Sequence, residues 1–365
     1  MRADTPCQAA RTAQSGEKRV KRLLGTIIAI GIGAAAPVTP VYRLQSELVL
    51  KGASPSWDYL AFEAGRNRLF LGRRGAGVTV VDAAAGTVSG QIADSKGANV
   101  ALPVPALGRG YTANGDGSTT VFALDTLKTV DRVKVGEAVD AVFFDAVTGL
   151  LVFTDGDHKR LILFDPKTER VAGTIAVPAE ELEGAVATGD GSLWVNERDR
   201  DRIAHVDLKT RTLVDDYPLP GCSQPTGLAA DPATARLFVG CKGAAPILAV
   251  VDAKSGHVVA RVGIGRGNDS VVFDAGRKRI FTANGLDGNV VMIDQSGPDS
   301  YRFAGAFTTR PVCRTLAEDP ATGRVFTMTA AGIVDPARPR NLKAGAFYPN
   351  RYLDDSFVLL TYAPQ

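Results

Sequence analysis

Short apolar runs that end in Asp return along this chain at a nearly constant spacing. They read VTVVD (closing at Asp82), TVFALD (Asp125), LILFD (Asp165), IAHVD (Asp207), LAVVD (Asp252) and VVMID (Asp294), at intervals of 43, 40, 42, 45 and 42 residues. Further β-branched runs flank each phrase, broken by turns rich in Gly, Pro and Asp. From Pro225 to Gly265, for instance, four apolar runs are separated by DPATAR, CKGAAP and AKSG. Apolar runs of strand length bounded by such residues predict four short strands per unit. A four-stranded unit repeating every 40–45 residues or so is the sequence signature of a β-propeller blade.

Six complete units run from Trp57 to about Thr309, and a seventh starts at Arg310 without a recognisable outermost strand. An orphan strand, LQSELVLKG from Leu44, precedes the first unit. Joining the two closes the ring, which protects sheet edges that would otherwise invite pairing with other chains. The predicted fold is therefore all-β: a seven-bladed β-propeller of four-stranded blades, closed by an N-terminal strand that joins the last blade. A chain of 365 residues is long enough for two domains. A closed array of repeats, however, has one continuous core, and no Pro- or Ser-rich linker interrupts this one. Residues 44–365 are expected to form a single domain. Within it the segment 335–351, DPARPRNLKAGAFYPNR, departs from the repeat and is predicted to be an inserted loop of blade seven on the tunnel-mouth face. Loops of that length are usually functional or disordered, so a lid, a partner-docking segment and plain disorder all fit it.

The first 36 residues stand apart. Lys18, Arg19, Lys21 and Arg22 precede LLGTIIAIGIGAAA, an apolar stretch from Leu23 to Ala36 that ends in small residues. That is the layout of a secretory signal peptide, and the stretch is short for a bilayer span. Residues 1–36 are thus predicted to be a leader cut near Ala35 or Ala36, followed by a linker at 37–43. The mature protein is expected to be periplasmic or extracellular. Pro37 crowds the cut, which leaves an uncleaved anchor as the alternative. The leader holds six basic and two acidic residues, so its removal takes the net charge from +3 to about −1. A near-neutral domain without a basic stripe lacks the electrostatic footprint of a nucleic-acid binder. The expected partner is an unidentified protein or a small ligand, and the expected state is a monomer.

Of the four cysteines, Cys7 lies in the leader. Cys222 and Cys241 fall at one edge of blade five, 19 residues apart, and an oxidising compartment would allow a disulfide between them. Two buried free thiols is the other reading. Cys313 is then the odd one, and the absence of C-x-x-C argues against a metal site built from cysteines.

Candidate chemistry follows from the architecture. In a propeller the start of each innermost strand lines the mouth of the central tunnel, where the strands converge. Blade by blade, that position holds Asp58, Asn99, Asp140, Glu183, Thr226, Asp269 and Arg314. All are polar within otherwise apolar strands, and four carboxylates facing one Arg are costly if they are buried unpaired. This ring is the predicted ligand-binding site. The competing reading is a wet tunnel whose polar groups satisfy one another and water. A more specific version places a divalent cation such as calcium or magnesium among Asp58, Asp140, Glu183 and Asp269, with Asn99 as a further oxygen donor. With a metal there, one carboxylate would serve as general base for hydrolysis or lactone opening. Loops on the same face place Arg73, Arg74, His158, Asn196, Glu197, Arg198, Lys242 and Asp287 in the wall of a binding surface. The six recurring Asp residues instead head turns whose backbone N–H groups they can accept. His158, His205 and His257 occupy unrelated positions in the repeat, which argues against a zinc triad. No Ser-His-Asp arrangement, phosphate loop or haem-attachment motif is present.

Several phrases carry a family likeness: SWDYLAFEAGRNRLFLG from Ser56, GRGYTANGDG from Gly108, EGAVAT from Glu183, QPTGLAADPATARLFVGCKG from Gln224 and RTLAEDPATGRVF from Arg314. They resemble the YVTN-type repeats of the YncE-like family of secreted bacterial propellers, and the resemblance spans the chain after about residue 44. It implies the propeller fold and export, but no particular activity. Three functions stand: a binding or scaffold protein that recognises a ligand or partner at the tunnel mouth, a metal-dependent hydrolase, lactonase or lyase using the carboxylate ring, and, through kinship with quinoprotein-type propellers, an accessory subunit in periplasmic redox chemistry. Regular repeats without a catalytic constellation favour the first.

Overall fold

A computed structural model of the chain describes residues 41–52, 56–342, 344–345 and 348–365. The expected leader, and all but the end of the expected linker, lie outside the described residues. Seven antiparallel sheets of four strands form the blades, with innermost strands beginning at Leu60, Ala98, Val142, Leu182, Pro225, Asn268 and Leu316. In six blades the strands follow one another outward in chain order, as in Pro225–Asp231, Arg236–Cys241, Ile247–Asp252 and Val258–Gly263. The seventh takes Leu316–Asp319, Arg324–Thr329 and Phe357–Pro364 from the C-terminal end of the chain and its outermost strand, Tyr42–Leu50, from the N-terminal end. The predicted closure is therefore present, and its strand begins inside the stretch read as linker.

The burial of each strand explains its sequence. Middle strands such as Leu150–Asp155 are covered on both faces by neighbouring blades, which is why they are nearly unbroken apolar runs. Outer strands such as Val258–Gly263 alternate between half-buried and exposed positions. Apolar side chains interlock between blades. Leu60, Leu69 and Leu71 of blade one meet Phe326, Met328 and Phe357 of blade seven, and Val152 and Leu163 of blade three meet Leu193 and Val195 of blade four. Each such side chain, fully buried, contributes roughly 1.5–3 kcal/mol. In all seven blades the ladder to the outermost strand slips, twice in blade six and once in each of the others, for example at Val80/Val81, Val250/Val251 and Leu44/Ser46. Such bulges twist an exposed strand and blunt its edge against pairing with another chain.

The recurring Asp residues behave mostly as turn caps. Asp82, Asp165, Asp207 and Asp252 accept backbone N–H groups two or three residues on at 2.7–3.3 Å, and Asp125 accepts that of Thr126. Asp294 departs from this pattern. Its hairpin continues to Gly297 and Ser300, and the carboxylate pairs instead with Arg279 (2.8 Å) and Arg302 (2.7 Å).

A buried acid pair joins blades six and seven. Glu318 sits beside Asp274, and Arg277 lies 2.8 Å from Asp274 and 3.8 Å from Glu318. Burial, then repulsion by Asp274, pushes the Glu318 carboxyl up to about 8. The folded protein thus keeps a proton that the unfolded chain loses above about 4.5, so this contribution to stability is complete at low pH and declines as pH rises toward 8. Glu318→Gln is expected to flatten that decline and to exceed the parent in stability by about 1–2 kcal/mol near neutral pH. Urea denaturation across the range checks this; a variant less stable than the parent near neutrality contradicts it.

Candidate functional site

A recurrent irregularity sets the side chains at the tunnel mouth. Where the innermost strands begin, the ladder skips Asn99 between Ala98 and Val100, Thr226 between Pro225 and Gly227, and Asp269 between Asn268 and Ser270. It skips Glu183 and Gly184 between Leu182 and Ala185. Backbone bonds give the same arrangement in two further blades: Gly72 pairs with both Asp58 and Tyr59 (2.9 Å each), and Thr154 with both Asp140 and Ala141 (3.2 and 3.1 Å). A bulged residue is released from the ladder and its side chain is re-aimed. The inner strands also approach closely here. A Cβ on Gly184 would stand 2.5 Å from the Thr226 carbonyl oxygen, so only glycine fits without a shift.

The released charges organise into an arc. Arg74 Nη2 lies 2.6 Å from Asp58, Arg314 lies 3.3 Å from Asp58 and 2.9 Å from Asp269, and Lys242 Nζ pairs with the other oxygen of Asp269. Arg198 joins Glu183 at 2.9 Å and Glu181 at 3.4 Å. Burial works against the Arg314 charge, but Asp269 and Asp58 hold its pKa above the ordinary arginine value. Burial raises the Glu183 carboxyl, with Lys242 opposing. Asp140 is different: among the described residues it is the one acid of the ring without an ion pair. Its carboxyl is raised by burial and by the charge of Asp58, with Arg74 pulling the other way.

Within this rim is a cavity of about 570 Å³, in the size range of small-molecule sites. Apolar walls come from Leu60, Leu102, Val142, Phe143, Leu228 and Val271. Among the described residues, seven carboxylates and four basic side chains line it, so this part of the rim is acidic on balance. Tyr59 also lines it, its hydroxyl 3.4 Å from the Asp269 carbonyl oxygen and held well above the usual phenol pKa by burial and by Glu183. A second cavity, of about 780 Å³, lies between this rim and the blade seven insert and is lined by Arg314, Lys242, Asn341, Ala344 and Tyr348. Asn341, Ala344 and Tyr348 of this segment therefore lie beside the mouth. The segment is anchored by the short ribbon of Gly332–Ile333 with Arg351–Tyr352 and by the Tyr352 ring, 4.9 Å from Trp57.

Five of the seven predicted ring residues line the cavity: Asp58, Asp140, Glu183, Asp269 and Arg314. Asn99 and Thr226 do not. Asn99 is buried with its amide 3.4 Å from the Val139 carbonyl and from Asp140, and the buried Thr226 hydroxyl donates to the Gln224 carbonyl at 3.1 Å. Both brace the backbone. The cation reading needs correction as well. Among the described residues no three His, Cys, Asp or Glu side chains gather closely enough to hold a metal ion. Asp58, Asp269 and Glu183 face Arg and Lys side chains that already balance their charge, so the donors proposed with Asp140 and Asn99 do not form the oxygen cage that calcium or magnesium requires. No metal-assisted step is derived from them.

The expected wall residues divide in the same way. Arg74, Arg198 and Lys242 belong to the rim. Arg73 is buried with its guanidinium 4.6 Å from the Phe357 ring centre, Asn196 donates to the Thr226 and Gly227 carbonyls, and Glu197 pairs with Arg200. His158 bridges Asp155 (2.7 Å) and Glu137 (3.0 Å), and Asp287 pairs with Arg266. Sequence reasoning passed over Tyr59, Asp157, Glu180 and Glu181. The acidic run just before Glu183 was the available signal for the last two. Cys222 and Cys241 are joined by a disulfide in blade five, and Cys313 is a buried thiol pushed up to about 11 by burial.

No family model matches the chain, and no curated protein matches it. Solved structures do. The chain is similar to Kuenenia stuttgartiensis hydrazine synthase, with 13% identity, a TM-score of 0.66, and coverage of 76% of this chain and 94% of the other. It is also similar to a chain of a mitotic checkpoint complex, with 15% identity, a TM-score of 0.66, and coverage of 84% and 96%. At such identities the likeness shows the propeller fold alone. Among the described residues, no helix is long and apolar enough to cross a membrane.

Arg314 is the hub of the arc, and its loss leaves Asp58 and Asp269 with one cation each. Arg314→Leu is expected to lower stability by about 1–3 kcal/mol in urea denaturation, with Arg314→Lys recovering part of the loss. An Arg314→Leu protein as stable as the parent contradicts the role given to the arc.

Proposed function

We propose that this protein is an exported binding propeller of the YncE-like type that takes a small organic ligand into its central cavity and performs no chemistry on it. The observation that carries the reading is the cavity itself: about 570 Å³ in which an apolar wall patch lies behind a rim of fixed charges. Apolar walls with a few convergent polar groups are the common character of small-molecule sites, where burial supplies affinity and the polar groups supply orientation. Asp58, Asp269 and Glu183 are each held by rim cations, which favours a positioning role for them over that of a free base or nucleophile. The YVTN-like phrases support the family reading, and the basic-then-apolar leader together with the blade five disulfide supports export.

Two experiments test this. N-phenyl-1-naphthylamine, a neutral apolar dye that brightens on leaving water, is expected to bind at a single saturable site. Leu102→Arg and Leu228→Arg, on separate cavity walls, are each expected to abolish that signal while circular dichroism remains that of the folded parent. Saturable binding retained in both variants contradicts a ligand in the cavity. For export, the intact mass of protein recovered from the periplasm is expected to lack the leader and to show Cys222 and Cys241 resistant to alkylation until reduced. A full-length mass with both thiols reactive after unfolding contradicts it.

A further inference from the structure

The rim of the cavity is uneven, and the unevenness selects among ligands. From blade five through six and seven to blade one, charge alternates without a gap: Lys242, Asp269, Arg314, Asp58, Arg74. An anion arriving there would have to displace a carboxylate from a cation that already holds it. Blade three is the opposite case. Asp140 opens into the mouth with no ion pair among the described residues, and Arg74, the basic group that acts on it, is turned to Asp58 at 2.6 Å. Asp157, on a neighbouring loop of the same blade, also lines the cavity, has no ion pair among the described residues, and adds its negative charge to that side. Asp140 stands two residues before the innermost strand Val142–Asp145, whose first residues, Val142 and Phe143, form apolar wall. At about 3.3 Å per residue they lie within roughly 7 and 10 Å of Asp140 along the chain.

From this juxtaposition we infer that the ligand is a small organic ammonium, its charge held at Asp140 and its apolar body lying along Val142 and Phe143. The inference rests on the binding function proposed above and adds the chemical class of what is bound. A neutral apolar ligand in the same place would cover Asp140 and leave its carboxylate without water or a counter-charge, which is costly. An ammonium supplies the missing cation and three N–H donors. A charge-assisted hydrogen bond of this kind is worth about 1.5–3 kcal/mol, or roughly a ten- to hundredfold preference over an uncharged analogue of the same length.

Isothermal titration of the mature protein with hexylamine, hexan-1-ol and hexanoate tests it. Hexylamine is expected to bind one to one, at least tenfold more tightly than hexan-1-ol, and hexanoate to bind more weakly still. Asp140→Asn is expected to abolish the preference for the amine, and Asp140→Lys to reverse it toward hexanoate, in proteins whose circular dichroism remains that of the parent. Equal affinity for amine and alcohol, or an amine preference that survives both substitutions, overturns the inference. If that happens while N-phenyl-1-naphthylamine still occupies the cavity, only the ligand class is wrong. If the dye fails to bind as well, the binding function falls with it.

Discussion

The first and last strands of the propeller, Tyr42–Leu50 and Phe357–Pro364, lie side by side through eight residue pairs, and that ladder makes a ring out of a row of sheets. Without it, Phe357–Pro364 would be a bare edge and blade seven a three-stranded sheet. The ladder does more than cover an edge. Tyr42 stacks on Phe307 of blade six, 5.0 Å between ring centres, and sits in the apolar cluster shared by blades six and seven. The N-terminal strand thus ties the last two blades together by apolar contact as well as by hydrogen bonds. Arg310 and Glu47 add an ion pair at the same seam, but both are solvent-exposed, and such pairs contribute little. Only in a closed ring do all the innermost strands meet around one axis, so the cavity depends on this seam even though no residue of the closing strand lines it.

A closed ring of similar blades also constrains where chemistry can sit. The middle strands are buried on both faces and have little room for charge. Polar groups facing the axis therefore come from the strand starts, where bulges break the ladder and release side chains such as Asp58, Asp140 and Asp269. Gathering these acids at one mouth would be unfavourable if they stood alone, and the loops of neighbouring strands supply Arg74, Arg198 and Lys242 against them. The arc therefore does structural work, holding blades that lie far apart in sequence, while Asp140 is left open. The distinction between paired and unpaired acids separates what holds the mouth together from what can meet a ligand.

Much of this was legible in the sequence because repetition amplifies weak signals. One alternating strand says little, but six copies of an apolar run closing on Asp, at intervals near 42 residues, identified the blades and exposed the strand missing from the seventh. The ring of mouth residues was legible for a related reason: a polar residue at a position the repeat keeps apolar stands out. What could not be read was the direction of each side chain. Asn99 and Thr226 occupy the same repeat position as Asp140, yet they turn into the backbone, because short amide and hydroxyl groups can bond to nearby carbonyls and a carboxylate cannot. The calcium reading failed on the same ground. Four acids at matching positions suggested a common target, whereas three of them face cations, Arg314 of the ring itself and Arg74, Arg198 and Lys242 of the mouth loops, and the repeat places those residues without showing which acid each side chain meets. Asp294 shows the limit for turns, since a longer hairpin removed the backbone groups that its counterparts cap.

The central claim is that the axis of this propeller is a ligand-binding cavity, with apolar wall behind a charged rim, and not a water-filled channel between blades. A crystal structure of the mature protein soaked with N-phenyl-1-naphthylamine tests it most directly. The predicted result is one dye molecule in the tunnel, in contact with Leu102 and Leu228. A tunnel filled by an unbroken column of ordered water, with the dye bound only on the outer strands, would contradict it.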